Sequence, residues 1–150
     1  MPNVEALLKV VEILEATPDK AVDLQSWTCG TTACAIGHAA NHPWFAERGL
    51  KLNRLGSPVF HQVNEEMISW DAVEEFFDLT GYAFRARSYP EKLKPSKERG
   101  DIPPSYWLFN AECYLLGEED EGGYEFYKRQ QEAGIKQQVI NRIKEFVDGI

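Results

Sequence analysis

The 150-residue chain predicts a mainly α-helical fold, a compact bundle of five or six helices with at most a small β-hairpin near residues 50–60. Three observations point there. Apolar residues recur at helical spacing in the first and last segments. A run of small residues, Ala33 to Ala40, suits a helix that other backbones approach closely. The hydrophobic fraction of 43% and aromatic fraction of 12% suffice for a core without disulfides or metal. The length suggests one domain spanning 1–150.

Residues 3–16, NVEALLKVVEILEA, form the first amphipathic helix. Val4, Leu7, Leu8, Val11 and Leu14 share a face, Asn3 is the N-cap, and Pro18 ends the element soon after. A second helix starts at Thr31 or Thr32 and ends before Pro43. Its side chains are small: Ala33, Cys34, Ala35, Gly37, Ala39 and Ala40. It should therefore sit centrally, between the first and last helices. Gly37 costs up to about 1 kcal/mol of helix propensity against alanine, so close packing is the expected compensation.

Residues 49–62, GLKLNRLGSPVFHQ, read as a small hairpin or extended loop around Gly-Ser-Pro. SWDAVEEFFDLTG (69–81) reads as a third helix, with Trp70, Val73, Phe76 and Phe77 on its buried side and Gly81 as its C-terminal cap. PPSYWLFNAECYLLG (103–117) is an aromatic-rich fourth helix, EEDEGG (118–123) a charged turn, and YEFYKRQQEA (124–133) a short helix before Gly134. The rings of Tyr106, Trp107, Phe109 and Tyr114 could form a binding patch, although aromatics at helical spacing more often belong to a core. The last element is the clearest. Ile135, Val139, Ile143, Phe146 and Val147 form a continuous apolar stripe.

Charge and composition narrow the function. The formal net charge is −8, which favours solubility and repels nucleic acid and anionic membranes. Direct nucleic-acid binding is therefore disfavoured. No apolar run approaches the roughly 20 residues needed to span a bilayer. The start, MPNVEALLKV, lacks the features of a signal peptide. Three cysteines, an odd number, fit reduced thiols. A cytoplasmic protein follows. Residues 85–99 break the acidic trend, with six basic and two acidic residues giving +4 locally and leaving −12 on the rest.

The stretch from Trp27 to Phe45, WTCGTTACAIGHAANHPWF, concentrates the chemically versatile residues. Four readings compete for it. A metal site could draw on Cys34, His38 and His42, with Cys29 nearby. In one helix, however, Cys34 and His42 would lie about 12 Å apart, against zinc bonds of about 2.0–2.3 Å. A Cys34–His38 pair with Cys29 folding back is the remaining version, and no metal centre is expected. A nucleophile could be Cys29, its pKa lowered before a helix N-terminus, with His61 as the base. No third orienting residue stands out. An anion or nucleotide cradle could form from Gly30, Thr31 and Thr32, with Arg85 and Arg87 as countercharge and Trp27 or Trp44 stacking on a base. The P-loop pattern is absent. Finally, the stretch could be pure architecture: a glycine turn, a threonine cap, a close-packed helix, and tryptophans covering its ends. That last reading accounts for nearly every residue.

The stretch WTCGTTACAIGHAA resembles a motif of a family of small uncharacterised bacterial and bacteriophage proteins. These carry a Trp, then Cys-Gly-Thr-x-Ala-Cys, then an Ile/Ala-Gly-x-Ala helix. The resemblance continues in WDAVEEFFDLTGYAF and closes in VINRIKEFV, covering about half of the chain in the same order. The first motif is fairly specific and the other two are generic. Trp27, Cys29, Gly30, Thr31, Ala33 and Cys34 match the motif. His38 departs from it, because the family often has Trp there, which argues against an essential ligand or base. Residues 91–130 look like an insertion. The resemblance implies a phage or prophage setting and brings no activity.

Together these readings lead to an expected function. The chain should be a non-enzymatic binding protein of phage or prophage type that engages a host protein or sequesters a small anionic, nucleotide-like ligand, with counter-defence as one use and no cofactor. Its candidate ligand-binding residues are Trp27, Cys29, Gly30, Thr31, Thr32, Arg85 and Arg87. The alternative is a thiol-dependent hydrolase using Cys29 with His61.

Overall fold

The computed structural model describes residues 2–25, 27, 32–61, 66–79, 104–111 and 124–149. Helix α1 (Val4–Glu15) forms as its periodicity predicts. The Asn3 side chain caps it, accepting from the Ala6 amide at 3.1 Å. Its buried stripe is Ala6, Leu7, Val10, Val11 and Leu14, whereas Leu8 is 45% exposed. A single 3₁₀ turn (Asp19–Ala21) follows. The chain then bridges in parallel to a later segment, Val22 pairing with Ala33.

The second helix is shorter and later than the sequence suggests, and it packs chiefly on α1 rather than between the first and last helices. Helix α2 runs over Ala35–Ala40, capped by Cys34 rather than by Thr31 or Thr32. The bridge explains the shift. The Ala33 amide donates to the Ala21 carbonyl and the Asp23 amide to the Ala33 carbonyl, both at 3.0 Å, so residue 33 is committed to extended pairing. Pro43 begins a further helix, α3 (Pro43–Ala46), at the N-terminal position proline tolerates best. Gly37 has the packing role its sequence context suggests. A Cβ there would lie 1.6 Å from the Trp27 carbonyl oxygen and 2.9 Å from the Ala33 Cβ.

The fold class is a correction to the mainly α expectation. Among the described residues, seven α-helices accompany a three-stranded antiparallel sheet in the order β1-β2-β3, so the protein is helix-rich but mixed α and β. Strands β1 (Leu50–Leu52) and β2 (Pro58–His61) form the hairpin, with Lys51 opposite Val59. Strand β3 (Glu66–Ile68) adds to β2, with Phe60 opposite Met67. Strands of three or four residues are too short to display a period of two. β3 also passes straight into helix α4 (Ser69–Phe77) through Ser69, whose φ is +56°, so no loop composition separates the two. Helix α4 stops at Asp78, which takes the left-handed capping conformation expected of Gly81; Gly81 lies outside the described residues.

Helix α5 (Pro104–Asn110) packs between α4 and the C-terminal helix. Helices α6 (Tyr124–Glu132) and α7 (Ile135–Asp148) close the fold, and α7 lies against α1. Helix α1 thus contacts α2, α4 and α7, while α4 covers β2 and β3. At the centre, Phe45, Phe76, Phe77 and Phe109 form a chain of rings with neighbouring centroids 5.1 to 5.6 Å apart. Such tilted and edge-on pairs add to simple area burial. The +4 segment 85–99 and the acidic turn 118–123 lie outside the described residues.

Candidate functional site

The reactive groups of the Trp27–Phe45 stretch that the structure describes are largely engaged in holding the fold. Cys34 is 1% exposed, and its Sγ accepts from the Gly37 amide at 3.4 Å. Burial pushes its thiol from the ordinary 9.0 up to about 11, an effect only partly offset by the backbone amides of Gly37 and Ile36. A thiol held neutral in this way is a poor nucleophile. The His38 Nε2 lies 2.6 Å from the Ala21 carbonyl oxygen. A carbonyl only accepts, so this nitrogen carries the proton and ties α2 to the bridge. The His42 Nδ1 accepts from the Trp44 amide at 3.1 Å and caps α3. The sequence placed His42 in the second helix; it sits instead at the start of the next one, where an acceptor is needed.

These positions separate the three residues considered for metal. Cys34 caps one helix, His38 reaches back to residue 21, and His42 caps another. Among the described residues, no group of three His, Cys, Asp or Glu side chains could hold a metal ion. His61 ends β2 on the surface, its Nδ1 3.8 Å from a Glu66 carboxylate oxygen on β3. Cys29, Gly30, Thr31, Arg85 and Arg87 lie outside the described residues, and with them the Cys29–His61 pairing and most of the anion cradle. Thr32 is half-buried beside the Val22–Ala33 bridge.

Trp27 is different. Its ring meets Trp70 at a centroid distance of 4.7 Å, and Trp70 in turn meets Tyr106 edge-on at 5.1 Å. All three are half-buried and pack against the edge of the core. They come from three separate places: a loop, the first turn of α4, and α5. The sequence placed Trp70 on the buried side of its helix and named Tyr106 only as part of a possible aromatic patch. Their meeting with Trp27 is a tertiary fact. The row has acidic neighbours on α4. Asp71 is exposed, and the Glu74 carboxylate accepts from the Ser105 amide at the start of α5.

A buried amide cluster escaped the sequence reading altogether. The fully buried Gln130 accepts from the Leu24 amide at 2.8 Å and donates to Asp23 Oδ1 at 2.9 Å. Asn110 Nδ2 donates to the Leu24 carbonyl at 2.9 Å, and Gln131 Nε2 to the Val22 carbonyl at 3.0 Å. Tyr127 adds a hydroxyl bond of 2.6 Å to the Lys20 carbonyl. These side chains supply partners for the backbone of residues 20–24. Polar residues on a helix read as solvent-facing, so no periodic signal marks them.

No helix of the described residues is long and apolar enough to cross a membrane. No family model matches the chain, and neither a curated protein nor a solved structure matches it.

Proposed function

We propose that the chain is a non-enzymatic binding protein that engages a partner protein through the row Trp27, Trp70 and Tyr106. The observation that carries this reading is the row itself: three half-buried rings from separate segments, converging at the motif's first residue. Tryptophan and tyrosine at a surface combine apolar area with a polar handle, and they dominate binding energy where they cluster. The chemistry of the motif supports the same choice, because Cys34, His38 and His42 are committed to structural bonds. The small-anion version depends on Gly30, Thr31, Arg85 and Arg87, outside the described residues. The row of rings is what supports a protein partner. In the phage or prophage setting implied by the motif resemblance, that partner is a host protein, and blocking a defence component is the natural use.

The test is affinity purification of the full chain from bacterial cells with quantitative mass spectrometry. A stoichiometric partner should be retained by Cys29→Ser and lost by the Trp70→Ala/Tyr106→Ala double variant, with both variants folded by circular dichroism. The opposite pattern would overturn this reading and support the thiol hydrolase.

A further inference from the structure

The β1–β2 hairpin departs from the acidic balance of the chain, as residues 85–99 also do. Between residues 48 and 61 there are three basic residues, Arg48, Lys51 and Arg54, and no acidic one, in a protein of net charge −8. Arg48 is occupied. Its guanidinium lies 3.7 Å from the Trp44 ring centroid, and Nη1 donates to the Trp44 carbonyl at 2.8 Å. Lys51 and Arg54 are exposed and make no ion pair or hydrogen bond with a described residue. Between them and beyond them the turn is tightly held. Asn53 Oδ1 accepts from the Leu55 and Ser57 amides at 2.9 and 3.0 Å. The Asn53 amide donates to the Ser57 carbonyl at 2.9 Å, and the Gly56 amide to the Asn53 carbonyl at 3.0 Å. Gly56 takes φ +79°, which completes the turn.

This ordered turn presents Leu55 at 89% exposure, while Leu50 and Val59 anchor the base of the hairpin in the core. A large apolar side chain held outward on an ordered turn loses little conformational freedom when a partner covers it. We propose that the tip docks on an acidic protein, with Leu55 entering an apolar pocket and Lys51 and Arg54 meeting carboxylates on its rim. Charge favours a protein over the other polyanions. A duplex or an anionic membrane is an extended surface that meets the whole acidic chain. A discrete acidic pocket meets mainly the tip, because charges beyond about 8 Å are largely screened at physiological salt. The inference rests on the reading as a binding protein and adds a contact on a different element from the aromatic row.

The experiment places a photoreactive benzophenone side chain at position 55 of the full chain. The protein is irradiated in bacterial cells, and the adduct is mapped by mass spectrometry. The captured protein is then purified and titrated by calorimetry. The expected adduct lies in a segment flanked by several Asp or Glu residues. Affinity should fall about tenfold or more in Lys51→Glu/Arg54→Glu, and should fall as salt is raised. Leu55→Ser should weaken binding while leaving the thermal melt unchanged, and Lys51→Gln/Arg54→Gln carries the charge test if the reversal unfolds the hairpin. An adduct on nucleic acid, lipid or a second copy overturns the proposal, as does no adduct or unchanged affinity. A partner that depends on Trp70 and Tyr106 but ignores every hairpin variant overturns this inference and leaves the binding reading standing. Absence of any stoichiometric partner overturns both.

Discussion

Gly37 and Cys34 show how much a single position carries. A β-carbon at residue 37 has no room, since the Trp27 carbonyl oxygen is backbone and cannot swing aside. Gly37→Ala should therefore cost about 3 kcal/mol or more, despite the better helix propensity of alanine. Urea denaturation checks it; a stabilised variant would contradict the close approach. Cys34 makes a different prediction. Its neutral thiol is favoured in the folded state, with the pKa raised from 9.0 to about 11. The folded protein then holds a proton that the unfolded chain releases, so this contribution is complete below about pH 9 and is lost as pH rises towards 11. The loss should reach about 3 kcal/mol and vanish in Cys34→Ala, as measured by denaturation of both proteins across that range. Native Cys34 should also resist iodoacetamide at pH 8 and label only on unfolding, read by peptide mass spectrometry.

At the level of elements, the amide cluster on α6 shows how a helix can hold a neighbouring segment. Residues 20–24 have their backbone satisfied by side chains of Tyr127, Gln130, Gln131 and Asn110. Gln130→Leu keeps the volume and removes both bonds, including the one that the Leu24 amide donates. The expected cost is about 1–3 kcal/mol. Hydrogen exchange at the Leu24 amide should accelerate more than at amides of α1; equal protection in both proteins would mean the bond contributes little. The same elements show why the strands were only half legible. The Gly-Ser-Pro turn marked the hairpin. β3 left no mark, because it enters α4 without a break and its three residues alternate too briefly to reveal a face.

The molecule as a whole is closed by its two ends. Helix α7 buries Ile135, Val139, Ile140, Ile143 and Phe146 and packs on α1. At roughly 1.5–3 kcal/mol for each large side chain, these contribute on the order of 10 kcal/mol. A whole domain is stable by only about 5–15 kcal/mol. Removing residues 135–150 should therefore abolish cooperative unfolding of the entire chain rather than release one helix. Thermal circular dichroism decides this, and a surviving sharp transition would show that the rest of the core is independent of α7.

Much of the architecture was determined by sequence alone, because it depends on local periodicity and local caps. Helices α1 and α7 with part of each buried face, the Asn3 cap and the close-packed glycine at 37 follow from neighbours within a few residues, or from the bulk a position can accept. The tertiary structure decided what depends on distant partners. The Val22–Ala33 bridge moved the start of α2 to Ala35, and β2 recruited β3 into a sheet. Trp27, Trp70 and Tyr106 met from three segments, and Gln130 turned inward to meet a backbone more than a hundred residues away. Each of these is a pairing whose energy exists only once the chain has brought both partners together, so neither partner announces it in its own stretch of sequence.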